Sequence, residues 1–403
     1  MRTMNENIYD VIIIGGGAGG LFAAYELSKA KTGLRICLLE SGQPLEKRKC
    51  PIDGKNIKSC IQCKSCSIMN GIGGAGAFSD GKYNITNNFG GDLAEYIGPE
   101  LALELMNYVD SINVENGGGE CKRYSTVSSD LKASALRYDL HLLDAEVRHL
   151  GTDVNFVILT NLVDKIKKNG VEIITCAAVQ DSEPFDGNAW KVVYNATCSA
   201  VSKKVIVATG RSGSKQTAQM CDKLGIMSQK NRVDIGVRFE CHAEIWAPIT
   251  DMIYEAKIIY RSPKTRCLCR TFCMNPNGSV VAENTNGIIT VNGHSYKDPK
   301  FHTQNTNFAL LVTHRFTEPF KDSNAYGEYI ANLTNMLSGG VMVQRFGDLI
   351  DNRRTNRKRL NESFVHPTLS AAEPGNLALA LPKQTLDTII EMIYALDKAG
   401  PGT

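Results

Sequence analysis

The chain lacks a strong excess of charge of either sign: 45 lysines and arginines face 42 aspartates and glutamates, for a formal net charge of +3. A strongly basic surface accompanies binding to nucleic acid or to an anionic membrane, so the overall balance calls for neither partner. One local basic cluster, Arg353 to Arg359, is typical of a solvated helix face or loop, with a phosphate-recognising patch as the alternative. We give it no function.

Long apolar runs are also missing. The one uncharged stretch that could suggest a membrane span, Val11 to Tyr25, is shorter than the roughly 20 residues that a spanning helix needs, and it is rich in glycine. Asp10 and Glu26 flank it, and no basic region or small-residue cleavage site marks a secretory signal. The 13 cysteines, an odd number, fit a reducing compartment. We therefore expect a cytoplasmic protein with no membrane partner.

The first pattern that is present is a βαβ unit. Tyr9 to Ile14 is a short apolar, β-branched run, and a glycine cluster follows it. Leu21 to Ala30 is compatible with a helix, and Leu34 to Leu39 is apolar again. The order strand, tight turn, helix, strand predicts a buried parallel sheet.

Further elements extend this sheet. Apolar spacing predicts a helix that begins at Thr152 and ends before Asn169 and Gly170. Strands are predicted at Val171 to Ala177, Trp190 to Tyr194 and Lys203 to Ala208, with a turn at Asp186 and Gly187.

Two other regions differ from this sheet in composition and in predicted structure. Gly42 to Leu150 is rich in Gly, Asn and Cys, and its length predicts functional loops with a few helices. After Arg232, irregular β segments alternate with turn signals at Asn275 to Gly278, Asn286-Gly287 and Asn292-Gly293. This last region is the expected substrate domain.

The glycine cluster contains the motif G-x-G-x-x-G. It follows a strand, opens a helix and precedes a second strand that ends in Glu40, twenty residues after Gly20. Gly15 permits the tight turn, Gly17 lets the backbone approach a pyrophosphate, and Gly20 lets helix and strand pack closely. The helix N-terminus favours phosphate, and Glu40 favours an unphosphorylated adenosine ribose such as that of FAD or NAD. A glycine-rich turn without a ligand is the alternative. The cofactor residues expected here are Gly15, Gly17, Ala18, Gly19, Gly20 and Glu40.

A second segment distinguishes FAD from NAD as the bound cofactor. Val205 to Gly213 reads VIVATGRSG and resembles the Ala-Thr-Gly strand and turn of the glutathione-reductase-like superfamily of FAD proteins. A pure NAD dehydrogenase would not need this segment. The resemblance implies FAD as the cofactor, and it implies that the strand from Cys176 to Val179 passes the adenine. It adds three cofactor residues: Val179, Ala208 and Gly210.

The most distinctive segment is Asn70 to Asn87, NGIGGAGAFSDGKYNITN, with five glycines between Gly71 and Gly81. Such density indicates backbone that approaches a ligand closely or adopts positive φ. Together with CPIDG, CIQCKSCSIM, RHLGTD and RTFCMNPNG, this loop resembles the uncharacterised FAD-dependent dehydrogenases, also described as NAD(FAD)-utilising dehydrogenases. The resemblance covers most of the chain and implies that the loop lies along the pyrophosphate and the isoalloxazine. Lys82 could instead pair with Asp80 or face solvent. The second group of expected cofactor residues is Gly73, Gly74, Ser79, Asp80, Gly81 and Lys82.

The predicted fold class is α/β: a Rossmann-like FAD-binding domain with a central parallel sheet and a β-meander, plus a second mixed α+β substrate domain. Residues 1–90 and 140–232 form the discontinuous FAD-binding domain, with 91–139 as an inserted helical and loop segment. Residues 233–372 form the substrate domain, and 373–403 return toward the FAD domain. The resemblance also implies a Gly-Asp-containing strand and a closing helix beyond Thr403, which the sequence as given does not contain. We expect either a truncated chain or a flavin site completed in another way.

Four cysteines form a cluster, Cys50, Cys60, Cys63 and Cys66, spaced C-x9-C-x2-C-x2-C. Two-residue gaps let neighbouring thiolates reach one metal, so zinc or an iron–sulfur cluster is one interpretation. Reduced structural thiols or a redox-active disulfide is the other. The spacing alone leaves both open.

The leading functional hypothesis is a FAD-dependent oxidoreductase, a dehydrogenase or reductase that exchanges a hydride or two electrons between the flavin and a small organic substrate. An electron-transfer protein or NAD(P)H is the expected partner, although no second nucleotide-binding βαβ unit is evident. Two alternatives stay open: a truncated or non-catalytic flavin-binding module, and an electron-transfer flavoprotein with a metal or iron–sulfur centre. The sequence identifies no catalytic residue. Cys273 could border the substrate cavity but is not interpreted as catalytic, and the histidines are interpreted as structural.

Overall fold

The computed structural model describes residues 8–30, 33–52, 56–57, 60–63, 65–79, 81–296, 298–316 and 322–403. Contacts between residues divide the chain into two compact units. The first unit is Met1–Gly81, Asn113–Glu120 and Thr152–Gln229, and the second is Lys82–Ile112, Cys121–Gly151 and Lys230–Thr403.

The strands in chain order are β1 (Ile8–Ile14), β2 (Ile36–Leu39), β3 (Lys82–Ile85), β4 (Arg123–Ser125), β5 (Leu140–Leu142), β6 (Glu146–His149), β7 (Glu172–Ile174), β8 (Val179–Phe185), β9 (Ala189–Tyr194), β10 (Cys198–Val207), β11 (Val233–His242), β12 (Ile258–Arg261), β13 (Leu268–Asn275), β14 (Ser279–Thr285), β15 (Ile288–His294), β16 (Asn305–His314), β17 (Met342–Val343) and β18 (Glu373–Pro374). The helices are α1 (Ala18–Lys29), α2 (Leu93–Ile97), α3 (Pro99–Asn113), α4 (Ser129–Leu136), α5 (Gly151–Lys168), α6 (Ser214–Lys223), α7 (Ala243–Ile253), α8 (Ser323–Ser338), α9 (Phe346–Ile350), α10 (Arg357–Asn361) and α11 (Lys383–Ala399).

The first unit is built on one sheet with the order β7-β2-β1-β10-β9-β8. The four strands β7, β2, β1 and β10 are parallel, and β10, β9 and β8 continue as an antiparallel meander. Ile12 and Ile13 point to opposite faces of β1 and neither has exposed surface, so both faces of this strand are covered. The predicted mixed α/β fold with a parallel sheet is confirmed.

The parallel part of the sheet is shorter than predicted at one strand. The run Val171 to Ala177 forms a strand only at β7, because Cys176 has a φ of +55° and the chain turns there. The Cys176 and Ala177 N–H groups donate to the Gly42 and Glu40 carbonyl oxygens, both at 2.8 Å. This segment therefore holds the loop that follows β2.

The second unit is built on an antiparallel sheet with the order β11-β16-β13-β12-β5. One face of this sheet is apolar and forms a core with α7 and α11, in which Trp246 and Phe308 are fully buried with ring centroids 5.2 Å apart. The opposite face is polar, with Asp234, Arg238 and Glu240 at alternate positions of β11. The same unit contains the small sheet β3-β6-β4 and the hairpin β14-β15.

Several predicted boundaries differ from this division. Residues 140–151 were assigned to the first domain, but they belong to the second unit, where β5 pairs with β12. Residues 82–90 were assigned to the first domain, but β3 pairs with β6 inside the second unit. Residues 91–139 are not a separate insert, since the contacts give most of them to the second unit. Residues 373–403 do not return to the first unit, because Ile389, Met392 and Ile393 of α11 are buried in the core of the second.

Gly42 to Leu150 also contains strands that were not predicted, namely β3 to β6. The turn predicted at Asn292-Gly293 is wrong, because both residues lie inside β15. A side chain at Gly293 would overlap Arg238, Asn275 and Asn307, so the glycine permits close packing. Asn286 and Gly287 do form a turn, both with positive φ. Across the described ranges, no helix has the length and apolar character needed to cross a bilayer.

Candidate dinucleotide-binding site

The glycine turn between β1 and α1 is fixed by backbone contacts on both sides. Gly15 has a φ of +105°, and its N–H donates to the Leu39 carbonyl at 2.8 Å. A β-carbon on Gly15 would overlap the Ala208 carbonyl, and one on Gly20 would overlap the Gly15 carbonyl. Glycine is therefore required at both positions, by conformation and close approach at Gly15 and by helix packing at Gly20.

The start of α1 has no internal partner for its first N–H groups. Gly17 is the N-cap residue and makes no side-chain capping hydrogen bond, and the first turn holds no acidic residue. Leu21 is the residue whose N–H reaches the Gly17 carbonyl, at 2.9 Å, while Ala18 and Gly19 are exposed. This exposed end of the helix can bind an anion through its N–H groups and its dipole.

Glu40 anchors three loops. Its Oε2 accepts the Gly16 N–H at 2.7 Å, and its Oε1 accepts the N–H groups of Gly42 at 2.8 Å and Gly71 at 3.0 Å. Ser41 adds a hydroxyl donor at 3.2 Å to Oε1. A carboxylate oxygen has two lone pairs, so the acceptor capacity left for a ribose hydroxyl lies on Oε2. The loop-anchoring role was missed at the sequence level because all three backbone donors come from separate loops.

The second glycine-rich loop lies against the first. The Gly73 N–H donates to the Gly16 carbonyl at 2.8 Å. A β-carbon on Gly74 would lie 3.0 Å from the Gly17 Cα, and one on Gly17 would lie 3.9 Å from the Gly74 Cα. Gly71, Gly73 and Gly74 all have positive φ, as the glycine density predicts. Bare backbone from both loops therefore borders the start of α1.

Arg48 holds this loop in place and was also missed. Its side chain is buried and donates to three carbonyl oxygens, those of Ser67 at 2.9 Å, Ile68 at 2.7 Å and Ile72 at 2.6 Å. Its guanidinium also lies over the Phe78 ring, 4.8 Å from the centroid. Burial lowers the pKa of Arg48 to about 10, and the Glu40 carboxylate opposes this by favouring the charged form. No sequence motif marks this arginine.

The segment after β10 reaches the same turn. The Ala208 N–H donates to the Ile14 carbonyl at 2.7 Å, and the Ala208 methyl would lie 3.7 Å from a β-carbon on Gly19. Gly210 has a φ of +60° and open space where a side chain would be. Val179 lies farther off, on the edge strand β8, where its carbonyl accepts the Gln216 amide at 2.6 Å. The structure thus joins Ala208, but not Val179, to the glycine turn.

The remaining residues of the second cofactor group do not gather at the turn. The Ser79 hydroxyl donates to the Gly76 carbonyl at 3.1 Å, and the Gly81 N–H donates to Ser79 Oγ at 3.3 Å. Asp80 lies outside the described residues. Lys82 belongs to the second unit, where its ammonium donates to the Met274 carbonyl at 2.5 Å and lies 3.4 Å from Glu255 Oε2. The side chain of Lys82 is buried, so it does not face solvent, and its contact with the cofactor stays a prediction.

The four clustered cysteines lie in one region of the first unit. Burial raises the pKa of the Cys50 thiol, and the neighbouring Cys66, Cys60 and Cys63 thiols raise it further. None of the four cysteines forms a disulfide, and within the described ranges no three Cys, His, Asp or Glu side chains form a group that could hold a metal ion. The predicted metal site is therefore not shown among the described residues, and metal binding by these cysteines stays a prediction. Spacing places thiols close along the chain, but ligation also requires the loop to turn them toward one point.

The parallel sheet, the glycine turn at its edge and the uncapped helix start define the first unit as a dinucleotide-binding unit of an α/β protein. Residues 10–48 match the FAD binding domain family, which identifies FAD as the dinucleotide. The match spans β1 from Asp10 onward, the glycine turn, α1, β2 and Glu40. The chain is a FAD-dependent enzyme. No curated protein matches the chain.

Several solved structures are distantly similar. NikD, an unusual amino acid oxidase essential for nikkomycin biosynthesis, shares 11% identity over 82% of this chain and 77% of its own, with a TM-score of 0.38. The halogenase PltM in complex with phloroglucinol and FAD shares 13% over 79% and 54%, with a TM-score of 0.36. The L-amino acid deaminase from Proteus myxofaciens shares 16% over 60% and 53%, with a TM-score of 0.30. Likenesses this distant carry no argument about the reaction.

Proposed function

We propose that the chain is a FAD-dependent oxidoreductase of the dehydrogenase or reductase type, with a Rossmann-like first unit that holds the cofactor. The observation that carries this proposal is the uncapped start of α1, bordered by the bare backbone of Gly17 and Gly74. A pyrophosphate fits such a place, because it needs N–H donors and a close approach to main chain. The resemblance of the Asn70 to Asn87 loop to FAD-dependent dehydrogenases supports the same assignment.

The residues that would hold FAD divide by chemistry. Gly17, Ala18 and Gly19 offer backbone N–H groups to the pyrophosphate, and Gly73 and Gly74 border that position. Glu40 Oε2 can accept a ribose hydroxyl without releasing the Gly16 N–H. Ala208 and Gly210, which form one side of the turn, are assigned to the cofactor by resemblance. Val179 is assigned to the adenine on the same ground.

Bound FAD supplies hydride and electron transfer, which no amino-acid side chain provides. The chain's own contribution is to fix the two glycine loops, through Glu40 and Arg48, before the cofactor binds. A small organic substrate and an electron partner, either NAD(P)H or an electron-transfer protein, complete the proposed reaction.

The test is the visible absorption spectrum of the purified full chain, followed by release of the bound cofactor and its identification by mass spectrometry. We expect flavin bands and FAD. The variant Gly17→Glu should lose the flavin, because its side chain fills the space between the loops and places a negative charge at the helix start.

The matched control is Gly347→Glu. Gly347 is exposed, lies in the second unit and has no heavy atom within 4 Å of the position that a β-carbon would take. This variant should retain FAD. A wild-type chain that neither purifies with flavin nor takes up added FAD contradicts the proposal, as does Gly17→Glu with unchanged flavin content.

A further inference from the structure

The helix α3 in the second unit carries a stripe of exposed apolar side chains. Leu101, Leu105 and Tyr108 are 47%, 43% and 37% exposed, and their spacing of four and three residues places them on one face of the helix. Ala102 and Asp110, which lie off this face, are buried and fix the orientation of the helix. The exposed face of a surface helix is ordinarily polar, and a contiguous apolar stripe is typical of an interaction surface.

The short helix α2 adds exposed apolar side chains to the same segment. Only Gly98 separates the end of α2 from the start of α3. Leu93 of α2 is 44% exposed, and Tyr96 is 85% exposed, which is a large fraction for an aromatic ring. The exposed apolar surface of this segment is therefore not confined to one helix.

The charge of this segment has only one sign. Between Tyr83 and Cys121 the chain has seven acidic residues and no lysine, arginine or histidine, although the whole chain has a net charge of +3. Glu100 and Glu104 are exposed and lie one helical turn apart beside the apolar stripe. In the part of the chain that the structure describes, neither carboxylate forms an ion pair. The apolar stripe is therefore bordered by uncompensated negative charge.

The cations that contact α3 are engaged elsewhere. Arg148 pairs with the buried Asp110 at 2.7 Å. Arg123 donates to Asn107 Oδ1 of the helix at 2.8 Å, and it forms ion pairs with Asp110 and Glu146. These contacts compensate Asp110 and leave the charges beside the stripe as they are.

The two glutamates of α3 are unfavourable for a surface that faces only water. Glu100 lies in the first turn, where the helix dipole favours a negative charge. Glu104 lies beyond that turn, and like charges four residues apart on a helix repel each other. A positively charged partner removes this repulsion, and an apolar partner removes the exposed leucines from water.

From this arrangement we propose that the exposed face of α3 is a docking surface for a partner protein that contributes a basic amphipathic helix. Apolar side chains of that helix cover Leu101, Leu105 and Tyr108, and its lysines or arginines lie beside Glu100 and Glu104. The stripe is about 10 Å long, or two helical turns, which matches the contact of one crossing helix. Nucleic acid and anionic membranes are repelled by the same carboxylates. The surface lies in the second unit and binding needs no flavin, so the proposal goes beyond the proposed function.

The probe is a labelled synthetic peptide of leucine and lysine with the spacing of an amphipathic helix, and its counterpart has glutamate at every lysine position. In fluorescence anisotropy titrations, the full-length wild-type chain should bind the lysine peptide about tenfold more tightly than the glutamate peptide. This difference should shrink between about 50 mM and about 500 mM salt, because screening weakens exposed charge pairs. The double variant Glu100→Lys, Glu104→Lys should reverse the preference. Leu101→Ser combined with Leu105→Ser should weaken the binding of the lysine peptide.

The matched control is Glu244→Lys combined with Glu362→Lys, which makes the same change in net charge at two exposed positions elsewhere in the second unit. This variant should still prefer the lysine peptide. A gain of binding to the glutamate peptide in the reversed variant cannot come from unfolding, because an unfolded chain has no docking face.

Four results overturn the proposal. The first is equal binding of the two peptides by the wild type, and the second is an unchanged preference after reversal of Glu100 and Glu104. The third is self-association of the wild type in sedimentation that this reversal abolishes, since the stripe would then bind a second copy of the chain. The fourth is binding to neutral phosphatidylcholine vesicles that is lost when Leu101 and Leu105 are serine, since the stripe would then bind lipid.

Discussion

Replacing Glu40 by glutamine tests whether this side chain is the anchor of the glycine loops. The amide keeps one acceptor oxygen and places an NH₂ group where the other oxygen stood. If its oxygen stays on Gly42 and Gly71, the Gly16 N–H faces a donor and loses its acceptor. An unsatisfied buried N–H costs about 1–3 kcal/mol, and loss of charge weakens the remaining hydrogen bonds by roughly another 1 kcal/mol. We expect a total of about 3 kcal/mol, since Glu40 is only 6% exposed.

Hydrogen–deuterium exchange followed by mass spectrometry measures this effect at the loops themselves. With FAD absent from both samples, peptides that contain Gly16, Gly42 and Gly71 should exchange faster in Glu40→Gln than in the wild type. A cost of about 3 kcal/mol corresponds to a roughly 150-fold increase in exchange from these amides. Peptides from the apolar core of the second unit should be unchanged.

The control is Glu362→Gln, because the Glu362 side chain is 61% exposed and its one ion pair, with Lys358, is 4.0 Å long. That change should cost about 0.5 kcal/mol or less. If Glu40→Gln leaves the exchange of all three peptides within twofold of the wild type, Glu40 does not anchor the loops and the reasoning from its hydrogen bonds is refuted.

Two further predictions follow from single residues. Gly20→Ala should lower the thermal midpoint of the chain by several degrees, because the new methyl group would overlap the Gly15 carbonyl. Gly76→Ala, with open space at that position, should leave the midpoint unchanged. Equal midpoints for the two variants contradict the packing role of Gly20. Burial lowers the pKa of Lys257 to about 8, from an ordinary value of 10.5. As the pH rises, the folded chain therefore releases this proton at a lower pH than the unfolded chain does. The free energy of unfolding of the wild type relative to Lys257→Met should rise by roughly 3 kcal/mol between pH 8 and 10.5. A difference that does not change with pH contradicts the burial of the charged lysine.

The parts of the fold that local sequence predicted are those in which one segment carries the whole signal. Residues Tyr9 to Leu39 encode strand, turn, helix and strand through their own apolar spacing and glycines, and the structure has β1, α1 and β2 there. The helix predicted from Thr152 likewise corresponds to α5, which ends just before Asn169 and Gly170. No distant partner is needed to recognise either pattern.

Strands that depend on distant partners were not recognised. β3 follows a glycine loop and becomes a strand by pairing with β6, more than sixty residues later, and β5 gains its place beside β12. Asn292-Gly293 carries the sequence of a tight turn, yet here the missing side chain lets β15 pack on Arg238 and Asn307. The same dipeptide serves both purposes, and local sequence cannot distinguish them.

The residues of the candidate site show the same difference between local sequence signals and contacts between distant segments. Gly15, Gly17, Gly20 and Glu40 were predicted because the motif places them at fixed spacing, whereas Arg48 was missed because its three acceptors become neighbours only when the loop folds over it. Metal ligation by the cysteines stays a prediction, since spacing alone brings four thiols near one another in sequence and no metal-holding group is found among the described residues.

Glu40 connects the architecture of the site to the choice of cofactor. Its carboxylate is held by N–H groups of Gly16, Gly42 and Gly71, so it cannot turn away when a ligand arrives without releasing three buried donors. A 2′-phosphate on the adenosine ribose would bring like charges together at a buried carboxylate, whereas a ribose hydroxyl can donate to the remaining lone pair of Oε2. We therefore propose that Glu40, which orders the loops, also discriminates against a phosphorylated ribose. The two roles reinforce each other, because the first fixes the position from which the second acts.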